Sequence, residues 1–227
     1  MEESIKCYIV SWEAAYRLAG NLAHKIIGSG FKPDIVIGIA RGGLVPGRIV
    51  CDFLLKNDFV TIRTEHWGVA SNTGKARIKH SLPVEVDISG KRVLVVDDVA
   101  DTGDSFSVIM DYLKAKDPLE IRTAVLQYKT SSTFIPDYWG EKLKEWNWMI
   151  YPWAFYEDLD EFVQKLLARP LTNEEIRKGL MNNFNIKMSR KDLLDILNDL
   201  HKLGKLNKSK KSNKILWEKV ENLESVE

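Results

Sequence analysis

The stretch Lys91-Arg-Val-Leu-Val-Val-Asp-Asp-Val-Ala-Asp-Thr-Gly-Asp-Ser105 decides the predicted fold. Its first half contains an apolar, largely β-branched run, Val93–Val96, which predicts a strand buried on both faces. The run ends in two acids, Asp97 and Asp98, and a loop of small and polar residues follows. Beyond the loop, residues 106–113 have apolar side chains at helical spacing. The order of strand, acidic turn, loop and helix is typical of the βα units of α/β proteins.

The carboxyl end of this strand is predicted to bind a phosphorylated ligand. In open α/β sheets, ligands bind at that end of the strands, and helix N-termini receive anions. The small residues from Thr102 to Ser105 allow backbone N–H groups and hydroxyls to surround a phosphate. The carboxylates of Asp97, Asp98 and Asp101 suit ribose hydroxyls or a metal ion. The alternative is a βα turn with acidic N-cap residues, which is common in α/β proteins.

Composition sets the broad class of the protein. The chain has 227 residues, of which 44% are hydrophobic and 29% charged, and this describes one or two ordinary globular domains. A net charge of +1 gives no global attraction to nucleic acid or membrane. No apolar run approaches the roughly 20 residues that span a bilayer. Cys7 and Cys51 have no metal-binding or redox spacing, and no signal-peptide pattern is present, so a cytoplasmic location is expected.

Upstream of the opening stretch, the pattern predicts a parallel sheet. Ser11 is a suitable N-cap for a helix that runs toward Ile27. Residues 34–40 form an apolar strand that leads into Arg41-Gly42-Gly43, and a helix over 44–55 and a strand over 59–63 follow. Short βα connections of this kind predict right-handed crossovers. The polar segment 65–90 is predicted to be a mobile loop or short β-arm that can cover an anionic ligand.

Downstream, residues 121–128 form a predicted strand that ends at Lys129. Residues 130–145 look irregular, residues 147–151 form a short strand, and residues 158–168 are helical. Trp146 and Trp153 are expected to pack in the core. The composition then becomes rich in Lys, Asn and Leu, which predicts a domain boundary between residues 168 and 169.

The segment 169–227 has helix signals of its own. A capping box at Thr172 and Glu175 opens one helix, Ser189 opens a second, and Gly204 ends it. Residues 207–213 are predicted to be a polar turn, followed by a returning strand over 214–219. Helices followed by a hairpin resemble a winged helix, so this region is interpreted as a small α+β domain.

Two motifs resemble those of type I phosphoribosyltransferases. The opening stretch resembles the binding motif for phosphoribosyl diphosphate (PRPP): four apolar residues, two acids, two variable residues, an acid or Ala, then Thr, Gly and a small or polar residue. Residues Ile37–Gly47 resemble the diphosphate loop of the 6-oxopurine branch, where the residue pair before the glycines often adopts a strained or cis peptide. The resemblance covers about residues 8–157. It implies a domain over 1–168 with a central parallel sheet flanked by helices and a hood near 129–157.

The resemblance assigns PRPP to two loops. The 5′-phosphate would lie at Thr102–Ser105 and the diphosphate at the turn after the strand over 34–40. Asp97 and Asp98 would bind the ribose hydroxyls, and Mg²⁺, held mainly by PRPP, would also contact Asp98. The residues assigned to PRPP in this way are Ala40, Arg41, Gly42, Gly43, Asp97, Asp98, Thr102, Gly103, Asp104 and Ser105. Asp104 departs from the family pattern, because many relatives carry Gly or Lys there.

The resemblance also assigns the base. Asp101 matches the residue that faces purine N7 and can accept its proton as general base. A helix N-cap is the alternative for this aspartate. Lys129 matches the lysine that binds O6, and a donor-only ammonium favours an oxo group over an amino group. Trp148 and Met149 match the pair that stacks on the base and bonds its far edge, and packing in the core is the alternative for Trp148.

The function implied is transfer of the phosphoribosyl group from PRPP to N9 of hypoxanthine, guanine or xanthine, in a Mg²⁺-dependent reaction by a homodimer or homotetramer. Two alternatives stay open. One is a PRPP- or nucleotide-sensing regulator that binds nucleic acid through 169–227, which is less favoured because Asp101 and Lys129 are both present. The other is a PRPP-dependent transferase for another base. No membrane partner is expected.

Overall fold

The computed structural model describes residues 5–66 and 76–220, and all helices and strands given below lie within these ranges. No helix in this part of the chain is both long and apolar enough to cross a membrane. The helices are α1 (Trp12–Gly28), α2 (Leu44–Phe53), α3 (Asp104–Lys114), α4 (Phe155–Leu166), α5 (Asn173–Phe184) and α6 (Arg190–Lys202). The strands are β1 (Cys7–Ile9), β2 (Ile35–Ala40), β3 (Phe59–His66), β4 (Ala76–His80), β5 (Arg92–Ala100), β6 (Glu120–Lys129), β7 (Tyr138–Leu143), β8 (Trp148–Ile150), β9 (Leu206–Lys211) and β10 (Lys214–Lys219).

The larger of two compact units, Ser11–Trp146, contains a six-stranded sheet in the order β4-β3-β2-β5-β6-β7. All neighbours pair in parallel except β3 and β4, which are antiparallel. The apolar run Val93–Val96 is fully buried, because helices cover both faces of a parallel sheet. The prediction of an α/β fold with a central, mostly parallel sheet is confirmed.

Helix α1 begins and ends close to the predicted limits. The side chain of Ser11 accepts a hydrogen bond from the backbone N–H of Ala14 at 3.1 Å, which is the expected N-cap interaction. Leu18, Leu22 and Ile26 lie at helical spacing on one face and are buried. Burial of this face, rather than intrinsic helix propensity, supplies most of the stability of a helix of this length.

The described part of the segment 65–90 includes the predicted β-arm. Strands β3 and β4 form it as an antiparallel pair, with His66 opposite Ala76. Residues 67–75 lie outside the described residues. Arg77 and Lys79 both donate hydrogen bonds to Glu65, with shortest distances of 2.6 Å. The bonds from Lys79 and Arg77 lower the pKa of Glu65 to about 2. Two of the cations expected to cover an anionic ligand are therefore paired within the arm.

The prediction that residues 130–145 are irregular was wrong for Tyr138–Leu143, which form β7. Strand β7 extends the sheet at its edge, parallel to β6. Its exposed Glu141 and Lys142 interrupt the apolar pattern that indicates a buried strand. A Cβ on Gly140 would lie 2.7 Å from the carbonyl oxygen of Leu126, so the edge strand packs closely where a glycine is present.

The smaller unit comprises the described residues up to Val10 and from Asn147 onward. Strands β1 and β8 form a parallel pair, and α4, α5 and α6 share a core with the hairpin β9-β10. The capping box of Thr172 and Glu175 is present, and Ser189 caps α6 as predicted. Phe162 is buried at the centre of this core, with its ring 4.7 Å from that of Phe184.

The predicted polar turn over 207–213 was also wrong. Residues Leu206–Lys211 form β9, and the turn is confined to Ser212 and Asn213, which have φ values of 48° and 63°. Positive φ at two consecutive residues is the requirement of a tight hairpin turn. The sequence pattern does not indicate β9, because its lysines are exposed and only Leu206 within it is buried. The winged-helix comparison and the boundary at 168/169 stay predictions.

Candidate active site

An open cavity of about 260 Å³ lies at the carboxyl ends of β2 and β5 in the larger unit. Its lining comes from three places in the chain: the turn after β2, Thr64 of β3, and the loop that leads from β5 into α3. The lining residues are Ile39, Ala40, Gly42, Thr64 and all residues from Asp97 to Ser105. The structure therefore brings the two predicted PRPP loops to one site.

The turn after β2 requires its two glycines because other groups approach them closely. The Ala40–Arg41 peptide is cis. A Cβ on Gly42 would lie 2.6 Å from both carboxylate oxygens of Asp98, and one on Gly43 would lie 2.3 Å from the carbonyl oxygen of Val96. A side chain at position 43 would clash with backbone, and one at position 42 would displace the Asp98 carboxylate. The turn thus lies against the acidic end of β5, while Arg41 is exposed at the turn and its side chain does not line the cavity.

The loop into α3 also depends on close packing. Gly103 has a φ of 97°, and a Cβ there would lie 2.5 Å from Cβ of Phe134. The Thr64 hydroxyl donates to Oγ of Ser105 at 3.2 Å, which joins β3 to the first turn of α3. The helix N-terminus is therefore fixed at the cavity, where N–H groups of its first turn can receive an anion. Gly103 is the N-cap residue, so the N-cap alternative for Asp101 was wrong.

Asp104 interacts with its own loop. The Thr102 hydroxyl donates to Oδ2 of Asp104 at 2.9 Å, and the backbone N–H of Asp104 donates to Oγ1 of Thr102 at 3.3 Å. A carboxylate in the first turn of a helix is also favoured by the helix dipole. These contacts account for the aspartate at this position. They also place a negative charge beside the predicted phosphate site.

Asp97 and Asp98 are adjacent, half-buried carboxylates at the end of β5. Burial raises the pKa of Asp97 well above its ordinary value, and the charge of Asp98 raises it further. The backbone N–H of Asp98 donates to Oδ1 of Asp97 at 2.9 Å, which partly opposes this rise. Two such neighbours are suited to ligands that bring donors or positive charge, such as ribose hydroxyls or a cation.

A second group of polar side chains lies where β5 and β6 end. Nζ of Lys129 is 2.6 Å from Oδ2 of Asp101, and the Lys129 side chain is only 3% exposed. The indole N–H of Trp146 donates to Oδ1 of Asp101 at 3.1 Å. The Trp146 ring centroid also lies 4.6 Å from Nζ of Lys129, within the range of a cation–π interaction. The prediction that Trp146 packs in the core was wrong, since it is 47% exposed.

The comparison with family models identifies the fold and chemistry around these loops. Residues 8–158 match the model described as "Phosphoribosyl transferase domain", which spans both loops and Lys129. The chain belongs to the phosphoribosyl transferase family. The resemblance based on the two loop motifs is thereby confirmed.

Relatives of this phosphoribosyl transferase include enzymes named for purines. The chain is 27% identical over 169 residues to the xanthine-guanine phosphoribosyltransferase of Nitratidesulfovibrio vulgaris, covering 74% of this chain and 93% of that protein. It is 32% identical over 133 residues to the hypoxanthine-guanine phosphoribosyltransferase of Streptococcus pneumoniae, covering 56% and 71%. The crystal structure of a purine phosphoribosyltransferase from Pyrococcus horikoshii matches with a TM-score of 0.57 and 30% identity, covering 66% and 94%.

The two residues predicted to contact the base from the hood lie in the smaller unit of this phosphoribosyl transferase. The indole N–H of Trp148 donates to Oδ1 of Asp158 at 3.0 Å, and its ring meets Phe162 edge-on at 6.0 Å. Met149 is buried and pairs with Tyr8 of β1. Stacking of Trp148 and binding by Met149 stay predictions.

Proposed function

We propose that the protein transfers the 5-phosphoribosyl group of PRPP to N9 of a 6-oxopurine. In this reaction N9 forms a bond to C1′ of the sugar, and the bond between C1′ and the diphosphate oxygen breaks. The diphosphate leaves with the bonding electrons, and the N7 proton of the base passes to Asp101. The products are the nucleoside monophosphate and diphosphate. Assembly as a homodimer or homotetramer is part of the proposal and is open to sedimentation analysis.

The contact between Lys129 and Asp101 is the observation that supports a 6-oxopurine. The Lys129 ammonium is a donor and the Asp101 carboxylate is an acceptor. Side by side, they match a base that offers an oxo acceptor at position 6 and an N–H donor at N7. Lys129 has three donors and uses one on Asp101, so it keeps donors for O6. A carboxylate that accepts the N7 proton also stabilises the positive charge that develops on the base and sugar.

The donor set of the site fits a Mg²⁺ ion that arrives with PRPP. Among residues 5–66 and 76–220, no cluster of three or more His, Cys, Asp or Glu side chains could hold a metal by itself. Mg²⁺ is commonly bound by one or two carboxylates together with substrate phosphates. Asp98 would supply such a carboxylate beside the diphosphate turn. The ion would neutralise charge on the leaving diphosphate.

The substitution Asp104→Asn is expected to strengthen PRPP binding. It removes a negative charge beside the proposed phosphate site but keeps an oxygen that can accept the Thr102 hydroxyl. Repulsion between partly exposed charges at this range is worth about 1 kcal/mol, so KM for PRPP should fall by roughly fivefold. The gain should shrink as salt is added, because salt screens exposed charges. Steady-state kinetics with Asp111→Asn, an exposed acid on the same helix, is the control, and an unchanged or higher KM for PRPP would refute the effect.

The proposed function is tested by release of diphosphate from PRPP in the presence of Mg²⁺ and single bases. Hypoxanthine, guanine and xanthine are the candidate acceptors, with uracil as a control base. We expect a nucleoside monophosphate from at least one of the three purines and none from uracil. Failure with all three purines would remove the proposal.

A nucleic-acid-binding regulator is the second candidate. One observation favours it: Lys211 and Lys214 face each other across the hairpin, and such like-charge pairs are unfavourable without an anion nearby. Two observations oppose it. Lys208 is bonded to Asn198, and the exposed acids Asp192 and Asp195 on α6 would repel phosphates. We expect the full chain not to bind labelled duplex DNA at about 150 mM salt, and saturable binding there would favour the regulator.

A further inference from the structure

Trp146 occupies the part of the site where the proposed reaction needs a purine. Its indole N–H bonds Oδ1 of Asp101, and its ring lies against the ammonium of Lys129. Neither contact is a core contact, because the side chain is 47% exposed. The partners are the two groups to which the proposed function gives the recognition of N7 and O6. The aromatic side chain therefore competes for the groups that the base would use.

The hydrogen bond from Trp146 to Asp101 is of the same kind as the one that the base would make. An indole N–H is a donor only, as is the protonated N7 of a 6-oxopurine. Oδ2 of Asp101 is bonded to Lys129 at 2.6 Å, and Oδ1 is the oxygen that faces away from that bond. Trp146 holds that oxygen at 3.1 Å. A purine N7–H that approached Oδ1 from the side of the Trp146 ring would have to displace the indole.

The ring contact has a similar consequence for Lys129. The side chain of Lys129 is 3% exposed, although its ammonium has to reach O6 of the base. The Trp146 ring covers one side of that ammonium from 4.6 Å. Movement of the half-exposed indole toward solvent would free Oδ1 of Asp101 and one side of the Lys129 ammonium together.

We propose that Trp146 is a built-in competitor of the purine base, which holds Asp101 and Lys129 in the base-free enzyme and is displaced when the base binds. The proposal rests on the proposed function. Trp146 thereby sets the affinity for the base and keeps the buried ammonium of Lys129 paired between turnovers. It touches the groups that recognise the base and takes no part in the chemical step.

The substitution Trp146→Phe tests the competition, because it removes the N–H and keeps an aromatic ring near Lys129. A hydrogen bond to a charged group contributes enough that its loss should lower KM for the base by about tenfold, with kcat unchanged. Trp12→Phe, at a comparably exposed tryptophan at the start of α1, is the matched control and should leave KM unchanged. Trp146→Leu also removes the N–H and should also lower KM for the base. It provides the same test if Trp146→Phe folds poorly.

A spectroscopic measurement tests the displacement. The difference in tryptophan emission between the wild type and Trp146→Phe isolates Trp146, and it should shift to the red when the product nucleotide is added, because the indole moves into water. A KM for the base that is unchanged or higher in Trp146→Phe would overturn the proposal while the proposed function stands. A lower KM without the emission change would overturn the displacement. If the wild type makes no nucleotide from any purine, the proposed function fails and this proposal fails with it.

Discussion

Asp101→Asn is expected to lower kcat by about 10²- to 10⁴-fold, the usual contribution of a positioned general acid or base. An amide cannot accept the N7 proton, and it carries no negative charge to stabilise the developing positive charge. Binding of PRPP should be unaffected, because Asp101 is not one of the residues assigned to the ribose, the 5′-phosphate or the diphosphate. Single-turnover kinetics and calorimetric titration with PRPP measure the two quantities separately.

The control for this variant is Asp111→Asn, which makes the same chemical change at an exposed position on α3. It should retain both kcat and PRPP binding. A wild-type kcat in Asp101→Asn would remove the general-base role. A loss of PRPP binding in that variant would contradict the expectation that Asp101 acts on the base and not on PRPP.

Lys129→Met is expected to lower kcat/KM for a 6-oxopurine by about 10²-fold, because an apolar group replaces the donor for O6 and leaves that oxygen without a partner. The variant should fold. Methionine fits a buried, unbranched position, and replacing a buried ion by an apolar residue is often tolerated. The remaining carboxylate of Asp101 is 36% exposed, so water can solvate it.

Lys116→Met is the matched control for this variant. Lys116 is an exposed lysine whose ammonium lies 5.0 Å from the ring of Tyr112, so the change also removes a cation–π contact but at a distance from the cavity. Its kcat/KM should equal that of the wild type. An unchanged kcat/KM in Lys129→Met would contradict recognition of O6 by this lysine.

The parts of the fold that the sequence predicted are those in which local chemistry is strong. Val93–Val96 is buried on both faces, so its residues form an unbroken apolar run that can be recognised in the sequence. The acids and the loop that follow it lie within about a dozen consecutive residues, and the Arg41-Gly42-Gly43 turn is equally compact. The backbone of Val96 and Ile39 approaches Gly43, and the Asp98 carboxylate approaches Gly42, so both positions favour glycine. Each of these features depends on residues that are close together in the sequence.

The features that were missed depend on solvent or on distant residues. Strands β7 and β9 have exposed faces with charged side chains, and these faces carry no alternation that a sequence pattern could detect. Trp146 bonds Asp101, which is 45 positions away, and three tryptophans within eight residues give no sign of which one lies at the site.

If Asp101 and Lys129 select a 6-oxopurine, the enzyme should distinguish hypoxanthine from adenine as acceptors for PRPP. The two bases differ in the group at position 6, which is an oxo acceptor in one and an amino donor in the other. We expect kcat/KM for hypoxanthine to exceed that for adenine by about 10²-fold or more, because the Lys129 ammonium can only donate. Equal or better use of adenine would contradict it.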